Sequence, residues 1–305
     1  MPLKHEDSSD RARTTIRVAC VQHQLKAGNT FVEFKNLISK YIAEAASKDA
    51  DFIVFPEYCA ADLMSQANFD GLTSRKMLEQ LATMSDDLIA CYAKLAKDHK
   101  IHIVGGSHPI SSKMGIENCG LFFYPNGEHQ IQPKLHITPW EKQNWNVTGG
   151  DTLDVIQTPK ANIGILVCYD SEFPEATREL VDQGAEILFV PYCTENYAGY
   201  QRVRICCQAR AIENQIHVVT TGLTGQLPAV AGFESNYASP GVFTPSDTGF
   251  PQDGVLIKGE SNIASLTFVD LDMAQLRHSR AEGTVTPHKD RRHDLFVFSK
   301  SRREK

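Results

Sequence analysis

Short apolar runs alternate with longer stretches of helical spacing through most of the chain. Ile16–Gln22, Phe52–Phe55, Ile101–Val104, Ile163–Val167, Ile187–Val190 and Ile216–Thr220 are rich in β-branched and aromatic residues, the pattern of strands buried on both faces. Phe31–Lys48 sets Phe34, Leu37, Ile38, Tyr41 and Ala45 along one helical face, and Asp86–His99 turns Leu88, Ile89, Tyr92 and Leu95 inward. Pro174–Asp182 and Tyr200–Asn214 also read as helices. Asn118–Tyr124 and His129–Pro133 flank Pro125-Asn126-Gly127, a hairpin signal. Leu153–Thr158 reads as a strand, Val255–Gly259 with Ile263–Val269 as a terminal hairpin, and Leu271–His278 as a last helix. The stretch after Pro56 up to Asp86, the loop Leu135–Asp151 and residues 222–240 read as irregular, and DRRHDLFVF as an extended arm.

The order of elements repeats. TIRVACVQ is echoed by NIGILVCY, DADFIVFPEY by GAEILFVPYC, and IHIVGG by IHVVTT, each set in the same order. Two related halves follow, each strand–helix–strand–helix–strand. Alternating strands and helices predict an α/β fold, and two sheets packed face to face under their own helices give four layers. Residues 15–298 make one domain, between a flexible lead-in at 1–14 and a basic tail at 299–305.

Charge and cysteine content narrow the partners. A net charge of −6, with 42% hydrophobic and 22% charged residues, gives no reason to expect nucleic acid or an anionic membrane surface. The polar start carries no secretory signal, and no stretch approaches the ~20 apolar residues of a membrane span. A cytoplasmic protein is expected. The eight cysteines form no CxxC pair, and Cys206-Cys207 point in different directions on a helix, so reduced thiols and no metal are expected.

Three residues stand just past the ends of apolar runs. Cys168 follows Ile163–Val167 and precedes Phe173-Pro174-Glu175, a helix start. A thiol before a helix N-terminus meets aligned N–H groups, which lower its pKa. Taken singly, such a cysteine is more often a core residue. Glu57 follows Pro56; it reads as a cap or ion-pair partner, or as a general base whose pKa is raised in a dry site. Lys134 follows Pro133 and reads as a solvated lysine, or as a fixed cation opposite charge developing on a substrate oxygen. Together the three suit acyl transfer: Glu57 takes the thiol proton, Cys168 attacks, and Lys134 with the Tyr169 backbone N–H stabilises the tetrahedral anion. No cofactor enters.

FPEY around Glu57, PKLH around Lys134 and CYDSEFPE around Cys168 resemble, in order and spacing, the motifs of the nitrilase superfamily, the carbon–nitrogen hydrolases. The resemblance runs from about Ile16 to Phe296. It implies an αββα sandwich, a Glu57–Lys134–Cys168 triad, amide or nitrile hydrolysis through a thioester, and homo-oligomers built on a dimer. It also implies that Glu141, in TPWEKQNW, orients substrate and tunes Lys134. Glu213 and Asn214 in QARAIEN match a family segment, with a structural role expected. Glu172 stands where many relatives carry arginine, which weakens an expectation of dicarboxylic ω-amide substrates.

Trp140, Trp145, Tyr192 and Tyr197 are candidates either to line an acyl pocket or to pack the loops. His136 is the nearest candidate for a different base to Cys168. The expected reaction is hydrolysis of a small amide or N-carbamoyl compound, with nitrile hydrolysis or acyl transfer to an amine as alternatives. A catalytically inactive binding protein on the same fold is the alternative from another class.

Overall fold

A computed structural model describes residues 14–66, 69 and 71–295. The basic tail and nearly all of the lead-in lie outside them. In chain order the elements are β1 (Thr15–Leu25), α1 (Phe31–Ser47), β2 (Phe52–Val54), a 3-10 turn Cys59–Ser65, α2 (Ser74–Ala82), α3 (Ser85–His99), β3 (His102–Ser112), β4 (Gly115–Phe123) and β5 (His129–Pro133). A π-turn at Glu141–Trp145 leads to β6 (Val147–Thr148), β7 (Ile156–Gln157) and β8 (Asn162–Ile165). A second 3-10 turn, Cys168–Glu172, precedes α4 (Pro174–Asp182), β9 (Ile187–Tyr192), α5 (Tyr197–Asn214) and β10 (His217–Gly225). Then come β11 (Gly241–Phe243), β12 (Val255–Lys258), β13 (Ser265–Asp272) and α6 (Met273–Glu282).

The two halves are visible in the pairing. β1, β2 and β3 are parallel neighbours in that order, and β8, β9 and β10 repeat the arrangement. The first sheet is extended by β4 and β5 beyond β3 and by β13 on the far side of β1; the second by β7 beyond β8 and by β11 and β12 beyond β10. Only His23–Leu25 of β1, paired with Leu223–Gly225 of β10, join one sheet to the other.

The inner faces of the sheets share one apolar core. Phe52 and Phe189 meet across it with ring centroids 5.4 Å apart. The fit leaves no room for a side chain at Gly120, where a Cβ would come within 2.9 Å of Ile165 on the facing sheet. Outside the first sheet α1 buries Phe34, Ile38 and Ile42, each contributing roughly 1.5–3 kcal/mol. Its entry is fixed by a capping box between Thr30 and Glu33. Outside the second sheet α4 presses Leu180 onto Gly164, and α5 buries Val203, Cys207 and Ala211. The result is an α/β protein, a four-layer αββα sandwich of two pseudo-repeated halves.

Several local expectations are corrected. The stretch 59–85 contains α2, whose buried Met77, Leu78, Leu81 and Ala82 lie among polar neighbours behind a Thr73 cap. β3 does not stop at Gly105-Gly106 but runs on to Ser112. No terminal hairpin forms: β12 pairs with β11 and β13 with β1. The expected strand 153–158 is reduced to Ile156–Gln157. Residues 290–295 form turns rather than an extended arm, and the rest of that segment lies outside the described residues.

Candidate active site

Glu57, Lys134 and Cys168 arrive at one place from three loops, each just past a strand end. Past β2 the chain keeps one more sheet bond, Phe55 N–H to Val104 O, then turns at Pro56. Tyr58 next to Glu57 takes a left-handed φ of 51°. Gly106 lies beneath this turn with φ +73°, and a Cβ there would be 1.9 Å from Pro56 O. Only glycine fits, so β3 can pass under the Glu57 loop.

Lys134 is set by its own backbone, whose N–H donates to Asn118 O at 2.8 Å and whose carbonyl accepts from Gly150 at 2.9 Å. Its side chain is 1% exposed. Nζ donates to Glu57 Oε1 at 2.8 Å and to Glu141 Oε2 and Oε1 at 2.9 and 3.1 Å. Glu141 is saturated besides: Tyr58 OH donates to Oε1 at 2.9 Å, and the Thr138 hydroxyl and N–H to Oε2 at 2.8 and 3.0 Å. Asn118 Nδ2 donates to Oε1 of both carboxylates, at 2.9 Å for Glu57 and 3.2 Å for Glu141. Glu57 Oε2 accepts from the Cys193 N–H at 2.8 Å.

Cys168 also adopts a left-handed φ, 51°, and opens the turn after β8. Its thiol donates to Cys193 O at 3.6 Å and lies close enough to the Glu57 carboxylate for each to shift the other's proton affinity. The turn is pinned from below. Buried Arg210 of α5 donates to Ser171 O, Glu172 O and Glu213 Oε1, and Ser171 Oγ donates to Cys168 O. Asp170 accepts from the His136 and Leu135 N–H groups and pairs with His136 Nδ1 at 2.9 Å, tying the Cys168 turn to the Lys134 loop.

Burial and charge divide the two carboxylates. Burial pushes Glu57 above the usual carboxyl range, Lys134 opposes the shift and Glu141 adds to it. At Glu141 burial also works against charge, but Lys134 and the Thr138 donors outweigh it and hold the group below the usual range. Burial opposes charge on Lys134 too, yet Glu141, Glu57 and Cys168 carry it well above the ordinary lysine value, so it stays an ammonium. The expected low-pKa thiol is corrected: burial, then Glu57, pushes Cys168 well up, with Lys134 opposing. The reason is burial of the thiol and the charge of Glu57, while α4 begins only at Pro174, six positions on. The thiol therefore needs a base beside it.

Of the other candidates, His136 is turned to Asp170 and stacked on Phe173 at 3.7 Å, not on Cys168. Trp145 is buried edge-on to Tyr58 at 5.3 Å, with half-exposed Trp140 against it at 4.6 Å. Tyr192 OH is spent on the Ser239 backbone, and exposed Tyr197 packs on Tyr200 and Tyr237. Asn214 donates to Arg210 O and Glu213 accepts from Arg210, so both support the Cys168 turn. Glu172 faces Arg202 at 3.6 Å. Asn118, Cys193, Asp170 and Arg210 carry no signal of this in the sequence, because the site contacts of each lie across long chain separations.

The carbon-nitrogen hydrolase family model matches residues 17–291. The chain belongs to the carbon–nitrogen hydrolase family. It is a hydrolase whose relatives include omega-amidases. The probable hydrolase YhcX of Bacillus subtilis is 38% identical over 281 residues, 92% of this hydrolase but only 54% of that longer protein. The omega-amidase NIT2 of Xenopus tropicalis is 24% identical over 271 residues, 86% of this chain and 90% of its own. Among solved structures, a mutant of the Nesterenkonia AN1 amidase superposes with a TM-score of 0.72 at 23% identity, covering 93% of this hydrolase and 97% of that chain. That likeness supports the sandwich described above.

Proposed function

We propose that this hydrolase cleaves the C–N bond of a small amide or N-carbamoyl compound through a thioester on Cys168. The single observation that carries it is that a buried thiol and a buried carboxylate are held by the same residue, Cys193, with a buried ammonium on the carboxylate. Glu57 accepts the thiol proton as sulfur bonds to the carbonyl carbon. An ammonium has three N–H donors. One serves Glu57, one is shared by the two oxygens of Glu141, and the third is left for the tetrahedral oxyanion, with the Tyr169 N–H as second donor. Protonated Glu57 then gives its proton to the departing nitrogen as the C–N bond breaks. Water, deprotonated by Glu57, attacks the thioester and releases the acid and the thiol.

Glu141 stays ionised and holds Lys134 in place and charged. Two carboxylates pushed apart in pKa thus take two roles, Glu57 moving protons and Glu141 fixing charge. An amide or carbamoyl substrate is favoured over a nitrile because omega-amidase and amidase stand among the relatives. Glu172 paired with Arg202 offers no unpaired cation for a second carboxylate, which argues against an ω-amide of a dicarboxylic acid. Among the described residues no helix is long and apolar enough to cross a membrane, and all eight cysteines are free thiols. A cytosolic homo-oligomer built on a dimer is proposed with the reaction.

The test is mass spectrometry of the protein mixed with a panel of small amides, carbamoyl compounds and nitriles, alongside ammonia release. A mass increase equal to one acyl group on Cys168, absent in Cys168→Ala, supports the thioester. Turnover retained by Cys168→Ala overturns it, and no adduct and no turnover across the panel favours an inactive binding protein.

A further inference from the structure

Asn118 sits on β4 at the centre of the site, with its side chain shielded from solvent and its Oδ1 without a partner among the described residues. Leaving a buried acceptor unsatisfied is costly, so the position is filled for what the other end of the amide does. Nδ2 donates to Glu57 Oε1 at 2.9 Å and to Glu141 Oε1 at 3.2 Å. Lys134 Nζ donates to those same two oxygens, at 2.8 and 3.1 Å. The two carboxylates are therefore bridged twice, once by a cation and once by a neutral donor. The amide's orientation is fixed, because Oδ1 turned inward would face two groups that only accept.

The consequence falls on Glu57. Its Oε1 already holds two donors, whereas Oε2 holds the Cys193 N–H and retains room for a proton from the thiol. The groups that face Glu57 are Lys134 beyond β5, Glu141 on the π-turn, Cys168 beyond β8, Cys193 beyond β9 and its neighbour Tyr58. Asn118 is the uncharged donor among those held by Oε1. Extra positive charge at that point would suppress the basicity of Glu57, and an apolar side chain would leave its oxygen short of a donor.

We propose that Asn118 is a positioning residue that, by holding Oε1, aims Oε2 of Glu57 at the Cys168 thiol. The inference rests on the thioester reading of the same site. Asn118→Leu keeps the volume and removes the donor. It is expected to lower kcat about a hundredfold with KM changed less than about threefold, and to move the acid limb of kcat/KM up by about one pH unit. The acyl adduct on Cys168 should still form, only more slowly; its complete absence in wild type would sink the thioester reading instead. A folded Asn118→Leu protein with the wild-type kcat and acid limb overturns the role of Asn118. Should that variant not fold, the wild-type protein decides. With 15N-labelled asparagine, the Asn118 side-chain NH2 signals should titrate with the acid limb of kcat/KM, and signals that stay flat across it overturn the proposal.

Discussion

The backbone N–H of Cys193 donates to Glu57 Oε2 at 2.8 Å across 136 positions of chain. Glu57 belongs to the first half of the molecule and Cys193 to the second, so Glu57 is oriented by the sheet that carries Cys168. The same residue's carbonyl lies 3.6 Å from the Cys168 sulfur. One peptide segment past β9 thus faces both partners of the proton transfer.

Because Glu141 is one of the groups raising the proton affinity of Glu57, removing its charge has a signed effect on pH dependence. Glu57 acts as base when deprotonated, so activity falls as pH drops through its pKa. Glu141→Gln is expected to shift that acid limb to lower pH while also reducing kcat through a misplaced Lys134. Glu57→Gln should cost on the order of a thousandfold or more in kcat/KM with no acid limb of this origin left. Rate profiles of both variants between pH 4 and 9 check the two together; an upward shift in Glu141→Gln contradicts the assignment.

Gly106 separates two causes of strain. Gly106→Ala forces a side chain into a φ of +73° and within 1.9 Å of Pro56 O, so a loss on the order of 4 kcal/mol or more is expected. Gly28, with φ +78° and open space around it, serves as control, and Gly28→Ala should cost only about 1–2 kcal/mol. Denaturant melts of the two variants give the comparison, and similar losses would show that the Glu57 turn tolerates the intrusion.

Arg210 holds the Cys168 turn through two carbonyls, at 3.1 and 3.4 Å, and is itself held by Glu213 at 2.7 Å. A lysine keeps the charge but not the planar fork. Arg210→Lys is expected to destabilise the protein by about 2–3 kcal/mol and slow acylation of Cys168 more than it weakens substrate binding. Stopped-flow acylation rates beside thermal melts distinguish this from a purely global loss.

Two histidines make stability sensitive to acid. Burial lowers His108 and His217 to about 4, from an ordinary value of 6.5. Between those values the unfolded chain takes up protons that the folded rings refuse, so stability rises with pH through that window and is lost as pH falls. Each ring contributes ~3 kcal/mol at most over the window. The raised pKa of Glu57 works in the opposite sense, so the measurement is a difference between proteins. The Tm drop from pH 7 to pH 5 should be smaller in His217→Gln and His108→Gln than in wild type.

The sequence exposes whatever is local. Apolar runs mark the central strands because both their faces are covered, and Pro174 at the head of α4 with Gly184, φ 102°, just past its end bounds that helix by chemistry visible in the chain. Pairing is less accessible. β12 and β13 are adjacent apolar segments and suggest a hairpin, yet β13 finds its partner in β1 at the other end of the chain. Asn118 opens an apolar strand and nothing nearby marks it; its two carboxylate partners stand 61 and 23 positions away. The glycines at 105 and 106 look like a strand ending because their real causes, Phe123 and Leu121 against Gly105 and the turn at Pro56 over Gly106, lie elsewhere in the chain.

The repeat built into the fold has an unequal outcome. Both halves make the same sheet and helices, but one brings the proton carrier and the fixed cation, and the other brings the sulfur. A chain cut between β7 and β8 would leave two well-patterned fragments, each holding part of a reaction. Reassembly through the pairing of β1 with β10 and β13, and of β7 with β8, would restore the chemistry.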